Sequence, residues 1–216
     1  NAALVTGEGR TAWYKGDKYL PYTLGNAFGD LGYDTYAFHN WTYSYYGRQK
    51  TMPELGFNTY LACGNGLQKL MNCNQWPNSD LAMVDVTTDK FLGNDKPFVT
   101  YYFTVSGHTH YNWFGNSMAY KNKSAVSTLD YSETAKAYLA TQIELDKALE
   151  LLITRLEAIG ELENTVIALV GDHHPYNMAT GVSNTPDLTI INELSERNER
   201  KDGIIEINRS NFILWN

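Results

Sequence analysis

Four of the five histidines fall in two short clusters, His108-Thr109-His110 and His173-His174. Each cluster directly follows an apolar run, at residues 98–105 and 165–170. The end of a strand fixes the backbone while the side chains face a crevice, which is what a metal or phosphate site needs. Asp172 beside His173 puts an oxygen and a nitrogen donor next to each other, a pair suited to Zn or Mn. The same dipeptide can also be an Asp capping the following turn beside an exposed His, and the residues alone leave both readings open. The pair gains weight from its context. Residues 165–170 form an apolar strand that opens into Gly171-Asp172-His173, and a long helix precedes it.

The elements that must position these residues follow from periodicity and punctuation. Leu20, Leu24, Ala27, Phe28 and Leu31 recur at helical spacing, with Pro21 in the first turn and Gly32 as the stop. A strand is expected at 33–38, with His39 just after it. Residues 39–96 are rich in Asn, Gly and Tyr, so only short helices are expected there, one of them around 80–92. The β-branched and aromatic residues of 98–105 predict a strand buried on both faces, with His108 beyond its end.

The strongest helical pattern runs over 132–159. Ser132 is its N-cap, Leu139, Ile143, Asp146, Leu149, Ile153 and Leu156 share one face, and Gly160 is its stop. Strands follow at 165–170 and 212–215, with a Glu/Arg-rich helix at 187–200 inside the polar segment 177–203. Alternation of helix, Gly and strand is the grammar of a doubly wound, mostly parallel α/β sheet flanked by helices. Ligands of such sheets sit at the carboxyl ends of the strands. His39, His108, Asp172 and His173 all fall at those ends. The chain stops on an apolar strand, which is a poor place to end a domain and points to truncation.

Composition narrows the function. A net charge of −7 argues against a nucleic-acid partner, which would need a surplus of Lys and Arg. The 16 Tyr, 5 Trp and 8 Phe suit a wet groove for a sugar or lipid headgroup, and suit a Tyr-rich core and surface equally well. No run of 18 apolar residues could cross a bilayer, and no signal peptide is present. Cys63 and Cys73 are too few for a structural zinc site, and either a local disulfide or two free thiols fits them. The three N-x-S/T sequons, at Asn40, Asn122 and Asn208, are explained by chance.

Taken in order, several segments resemble the sulfatase/alkaline phosphatase superfamily: the long helix with its central Asp146, then Glu163-Asn164-Thr165-Val166-Ile167, then Gly171-Asp172-His173. Leu20-Pro21, Phe38-His39, Arg48, Ser106-Gly107-His108 and Ile207-Asn208-Arg209-Ser210-Asn211-Phe212 resemble its lipoteichoic acid synthase and phosphoglycerol transferase branch. The similarity covers nearly the whole chain. It implies an alkaline-phosphatase-like α/β fold, truncated at both ends, in which residues 1–216 are part of one catalytic domain.

That branch uses a membrane-anchored ectodomain on the extracytoplasmic face of the bacterial cell membrane to cleave phosphatidylglycerol. A Thr nucleophile on Mn²⁺ takes the glycerophosphoryl group and passes it to a glycerophosphate-polymer or glycan acceptor. The resemblance makes Asp172 and His173 metal ligands, for Mn²⁺ first and for Zn²⁺, Mg²⁺ or Ca²⁺ as other candidates. It makes Arg48, His108 and Tyr46 substrate-binding residues, Arg48 through bidentate contact with phosphate. The family's Thr and its Glu ligand lie upstream of residue 1. Thr6 and Thr11 are in the wrong context to replace the nucleophile, so a fragment without activity and with weak metal binding is expected. Trp41 stands where the family has an acidic residue, and His174 where it has an aromatic. His110 is expected at a solvent-exposed rim. A sulfatase, a phosphoethanolamine transferase or a non-catalytic binder of anionic glycans or lipid headgroups would carry many of the same features.

Overall fold

A computed structural model describes residues 19–173, 175, 193–194 and 211–216. The expected helix at 187–200 falls outside these residues apart from Glu193 and Leu194, and so do Thr6, Thr11, His174 and Asn208. The chain divides into two units, one from residues 1–74 with 82–105 and the other from 75–81 with 106–216.

The first unit is built on a parallel three-stranded sheet, β1 (Asp34–Thr42), β2 (Thr59–Cys63) and β3 (Phe98–Phe103), in the order β2-β1-β3. Helix α1 (Leu24–Gly29) precedes β1, and α2 (Arg48–Glu54) joins β1 to β2. Helix α3 (Asp80–Thr87) lies between β2 and β3. The chain therefore steps to one side of β1 and then to the other, which makes the carboxyl end of β1 the switch point of the sheet.

Alternating strand residues face two layers. Ala37, Tyr60, Ala62, Val99, Tyr101 and Phe103 pack with Met52 and Leu55 on the α2 side. Tyr36, Phe38, Phe98 and Tyr102 gather around Phe91 on the other. Covering both faces is what a parallel sheet requires.

Four expectations change here. The first helix begins at Leu24, so Pro21 lies in a turn before it. His39 lies inside β1, opposite Ala62 and Phe103, because the strand runs on to Thr42. The loop-rich stretch contains β2, whose five residues are too few to show a period. Strand β3 is half-buried along its whole length, not buried on both faces, since its outer edge has no strand partner among the described residues.

Close backbone contact ties α1 to the turn before β2. A Cβ on Gly56 would lie 2.1 Å from the Asn26 amide nitrogen, and the φ of +87° there already excludes most side chains. Asn26 Nδ2 donates to the carbonyls of Leu20 and Glu54, and Thr35 Oγ1 donates to Gly56 O at 2.7 Å. Cys63 and Cys73 form a disulfide with a Cα–Cα distance of 5.8 Å, which decides between the two alternatives left by the sequence. The bridge closes the loop that leaves the carboxyl end of β2.

The second unit is organised by α4 (Ser117–Asn122), α5 (Glu133–Ala158) and an antiparallel pair, β4 (Ile167–Val170) with β5 (Phe212–Trp215). Ser132 caps α5 as expected, its Oγ accepting from the Ala135 amide at 3.2 Å. The buried face of α5 is a stripe of small residues, Ala135, Ala137, Ala140 and Ala148, with Leu156 at its end. Leu139, Ile143, Leu149 and Ile153 of the expected face are only half-buried. Small side chains let neighbouring segments approach closely, and Ala119 and Val126 pack on that stripe. Asp146 is exposed, and a buried carboxylate, Glu144, ties α5 to α4 and to Ser79. Its side chain is fully buried and accepts from Ser79, from Lys121 at 2.8 Å and from Asn122 at 3.3 Å. Strand β4 was expected as a buried strand of a parallel sheet, with β5 as a further apolar strand. They form an antiparallel ribbon instead, and Val170, Phe212, Ile213 and Leu214 are each more than half exposed. Among the described residues, no element covers them. Apolar content alone does not decide burial.

Candidate functional site

At the carboxyl end of β1 the chain turns through Tyr45–Gly47 into α2. Tyr46 holds a φ of 51° and Gly47 one of 73°, so two successive left-handed residues swing Arg48 back toward the strand it has just left. A left-handed non-glycine residue costs roughly 1 kcal/mol, and such strain gathers where a functional side chain must be aimed.

Arg48 Nη1 lies 3.0 Å from His39 Nε2, and His39 Nδ1 lies 3.1 Å from the carbonyl oxygen of Phe103. The guanidinium carbon sits 4.5 Å from the Phe103 ring centroid, 5.5 Å from that of Tyr45 and 5.8 Å from that of Tyr46. Aromatic faces attract the cation without consuming its N–H donors. Burial, reinforced by the Arg48 charge, pulls the His39 pKa down to about 4. The ring is therefore neutral near pH 7. Tyr46, expected at the site from the sequence, thus stands beside Arg48. His39 takes a larger part than its sequence position implied.

The second unit brings together His108, Asp172 and His173. The rings of His108 and His173 have centroids 6.1 Å apart and are nearly perpendicular. Asp172 Oδ1 and His173 Nε2 are 3.6 Å apart, with the Asp172 side chain 88% exposed and that of His173 33% exposed. Trp76 meets the His108 ring edge-on and donates Nε1–H to Thr109 O at 2.8 Å. Asn116 Nδ2 donates to His108 O at 2.8 Å. The backbone around His108 is thereby fixed from two sides. Burial lowers the His108 pKa and favours its neutral form. Tyr111, which donates to Gly107 O at 3.1 Å, has its hydroxyl pKa raised by burial. His110 is exposed, at the rim as expected.

Asp172 and His173 fit part of a divalent-cation site, since carboxylate oxygen and imidazole nitrogen are the donors that Mn²⁺ and Zn²⁺ take. Among the described residues, no three His, Cys, Asp or Glu side chains converge on one point. Phe103 was missed from the sequence, and His39 was placed at a strand end without a role. Phe103 contributes a carbonyl, which no residue type announces.

A family model described as Sulfatase matches residues 5–203. No curated protein matches the chain in sequence. Among solved structures, the lipoteichoic acid synthase LtaP from Listeria monocytogenes aligns with a TM-score of 0.64 at 21% identity, over 88% of this chain and 45% of that one. A protein of the alkaline phosphatase superfamily from Vibrio parahaemolyticus aligns at 0.52 and 18% identity, over 76% of this chain and 38% of that one. The Streptococcus pyogenes phosphoglycerol transferase GacH, in complex with sn-glycerol-1-phosphate, aligns at 0.52 and 18% identity, over 85% and 43%. At these identities the likeness establishes an alkaline-phosphatase-like α/β fold. The chain spans less than half the length of each of these structures.

Proposed function

Since the chain belongs to the sulfatase family, whose members are phosphoryl or sulfuryl transferases or hydrolases, we propose that it is part of a metal-dependent phosphoglycerol transferase-like enzyme. Its substrates are phosphatidylglycerol-type headgroups, and its product feeds a cell-envelope polymer. One observation carries this reading. Arg48 is held at the switch point of the sheet by a neutral histidine and three aromatic rings, where a guanidinium can meet a phosphate.

Arg48 binds two phosphoryl oxygens through parallel N–H donors and stabilises the charge that grows on them. Tyr46 borders the guanidinium and shapes the headgroup pocket. His108, kept neutral by burial, takes or gives a hydrogen bond to a glycerol hydroxyl or phosphate oxygen. Asp172 and His173 would hold the cation, Mn²⁺ by preference, with further ligands and the Thr nucleophile supplied by other parts of the protein. When bound, that cation lowers the pKa of a hydroxyl nucleophile and offsets phosphoryl charge.

An extracytoplasmic location at the bacterial cell membrane accords with the Cys63–Cys73 disulfide, because such bonds persist in oxidising compartments. Among the described residues, no helix is long and apolar enough to cross a bilayer. The acceptor is a glycerophosphate polymer or a glycan, and the net charge of −7 disfavours nucleic acid.

The test is Mn²⁺-dependent release of glycerophosphate from phosphatidylglycerol vesicles by the full ectodomain. Asp172→Ala and His173→Ala should each reduce turnover by about a hundredfold or more. Undiminished turnover in both variants would remove the metal assignment, and hydrolysis of an aryl sulfate instead would make the protein a sulfatase.

A further inference from the structure

We propose that a cavity in the second unit, lined by Gln75, Trp113, Phe114, Asn116, Ser117 and Tyr120, binds a neutral sugar ring of the acceptor. The inference rests on the functional reading above and deepens it, because it selects a glycan over a glycerophosphate polymer. The cavity measures about 450 Å³, within the range of roughly 300–1,000 Å³ usual for small-molecule sites.

Its lining has two chemical parts. Three aromatic residues supply flat apolar surface, and two of them present it to solvent, Phe114 at 101% exposure and Tyr120 at 68%. Exposed apolar surface gathered around a polar cavity marks a contact with a partner. The turn that displays Phe114 is fixed, since Asn112 Oδ1 accepts from the amides of Phe114 at 3.0 Å and Gly115 at 2.6 Å. Trp113 is fixed as well, its Nε1–H donating to Glu133 Oε2 at 2.8 Å. The second part is polar without charge. The Gln75 amide and the Ser117 and Tyr120 hydroxyls are groups that both donate and accept. A pyranose ring has the matching two parts, an apolar C–H face that stacks on an aromatic ring and a rim of hydroxyls that both donate and accept.

A phosphate only accepts and carries full charge, so it favours cationic partners. None of the six lining side chains is charged. The two neighbouring lysines are turned to other groups. Lys121 Nζ lies 2.8 Å from the buried Glu144 carboxylate, and Lys123 Nζ lies 4.9 Å from the Trp113 ring centroid. The cavity is also tied to the support of His108. Asn116 donates Nδ2–H to His108 O at 2.8 Å, and the Ser117 amide donates to Trp76 O at 2.9 Å. Trp76 in turn meets the His108 ring edge-on. A sugar in the cavity is therefore held by the same backbone that positions His108.

A titration on the whole chain tests the proposal without metal, lipid or turnover. The probes are the neutral disaccharides maltose and lactose, followed by saturation-transfer NMR. At least one should bind with a Kd of about 1 mM, with the strongest saturation on its ring C–H protons. Phe114→Ala and Tyr120→Ala should each weaken binding about tenfold. Both side chains are exposed, so the melting temperatures should stay at the parent value. Excess sn-glycerol-1-phosphate should not displace the sugar. Three results overturn the proposal: neither disaccharide binds the parent chain, binding is unchanged in either variant, or glycerophosphate displaces the sugar and marks an anion site. Any of them leaves the phosphoglycerol transferase reading standing, because that reading is decided separately by Mn²⁺-dependent release of glycerophosphate.

Discussion

The Arg48 pocket and the Asp172–His173 turn are both polar features at strand ends, yet they are built in opposite ways. Arg48 is held by three rings and a buried histidine, itself bonded to a backbone carbonyl, on a sheet covered on both faces. Asp172 and His173 stand on an exposed turn beyond an uncovered two-stranded ribbon. The first region carries its order within the packed chain. The second is exposed, and the pair of donors proposed there would gain its order from a bound ion. A charged group that binds by geometry needs a rigid scaffold, whereas a pair of metal donors can be gathered by the metal itself.

The sharpest way to break this contrast is to disturb the scaffold under Arg48. Gly56→Ala places a methyl group against the Asn26 backbone at a positive φ, and should cost about 4 kcal/mol or more. Urea denaturation measures it, and a loss below about 1 kcal/mol would mean the contact between α1 and the turn yields easily.

Next in size is a pH effect seated on His39. Folding lowers its pKa from 6.5 to about 4, so between those values the unfolded chain binds a proton that the folded chain refuses. This group leaves stability undiminished above about pH 6.5, and stability then declines as pH falls toward 4, by up to about 3 kcal/mol. Thermal melts across that window should show the slope in the parent and a smaller one in His39→Gln. Identical slopes would mean that His39 titrates normally in the fold.

The smallest effect belongs to the exposed ribbon. Val170→Thr and Ile213→Thr should each shift stability by no more than about 0.5 kcal/mol. Asp172→Ala should leave the melting temperature of the metal-free chain unchanged while removing any shift caused by added Mn²⁺. A large loss in the metal-free chain would show that the turn has a structural role of its own.

Much of the scaffold was legible in the sequence. Ser132 and Gly160 bracket α5 because capping is a local event, decided within one turn of helix. The Asp172–His173 pair was visible because its two donors are adjacent in the chain. Strand β2 was hidden by its brevity. The burial of α5 was assigned to its large residues, but its close contacts are made by its alanines. Periodicity finds a face without saying how near the neighbour comes.

Sequence alone thus determined residue types suited to phosphate and metal, most of the longer helices and strands, and the points where several of them stop. These depend on side-chain chemistry and on interactions between near neighbours. Only the tertiary structure decided that His39 lies within β1 and that Cys63 is bonded to Cys73. It alone showed that the carbonyl of Phe103, 64 residues away, lies 3.1 Å from the His39 ring beside Arg48. That contact depends on the register of β1 against β3, and register is a property of two distant segments together.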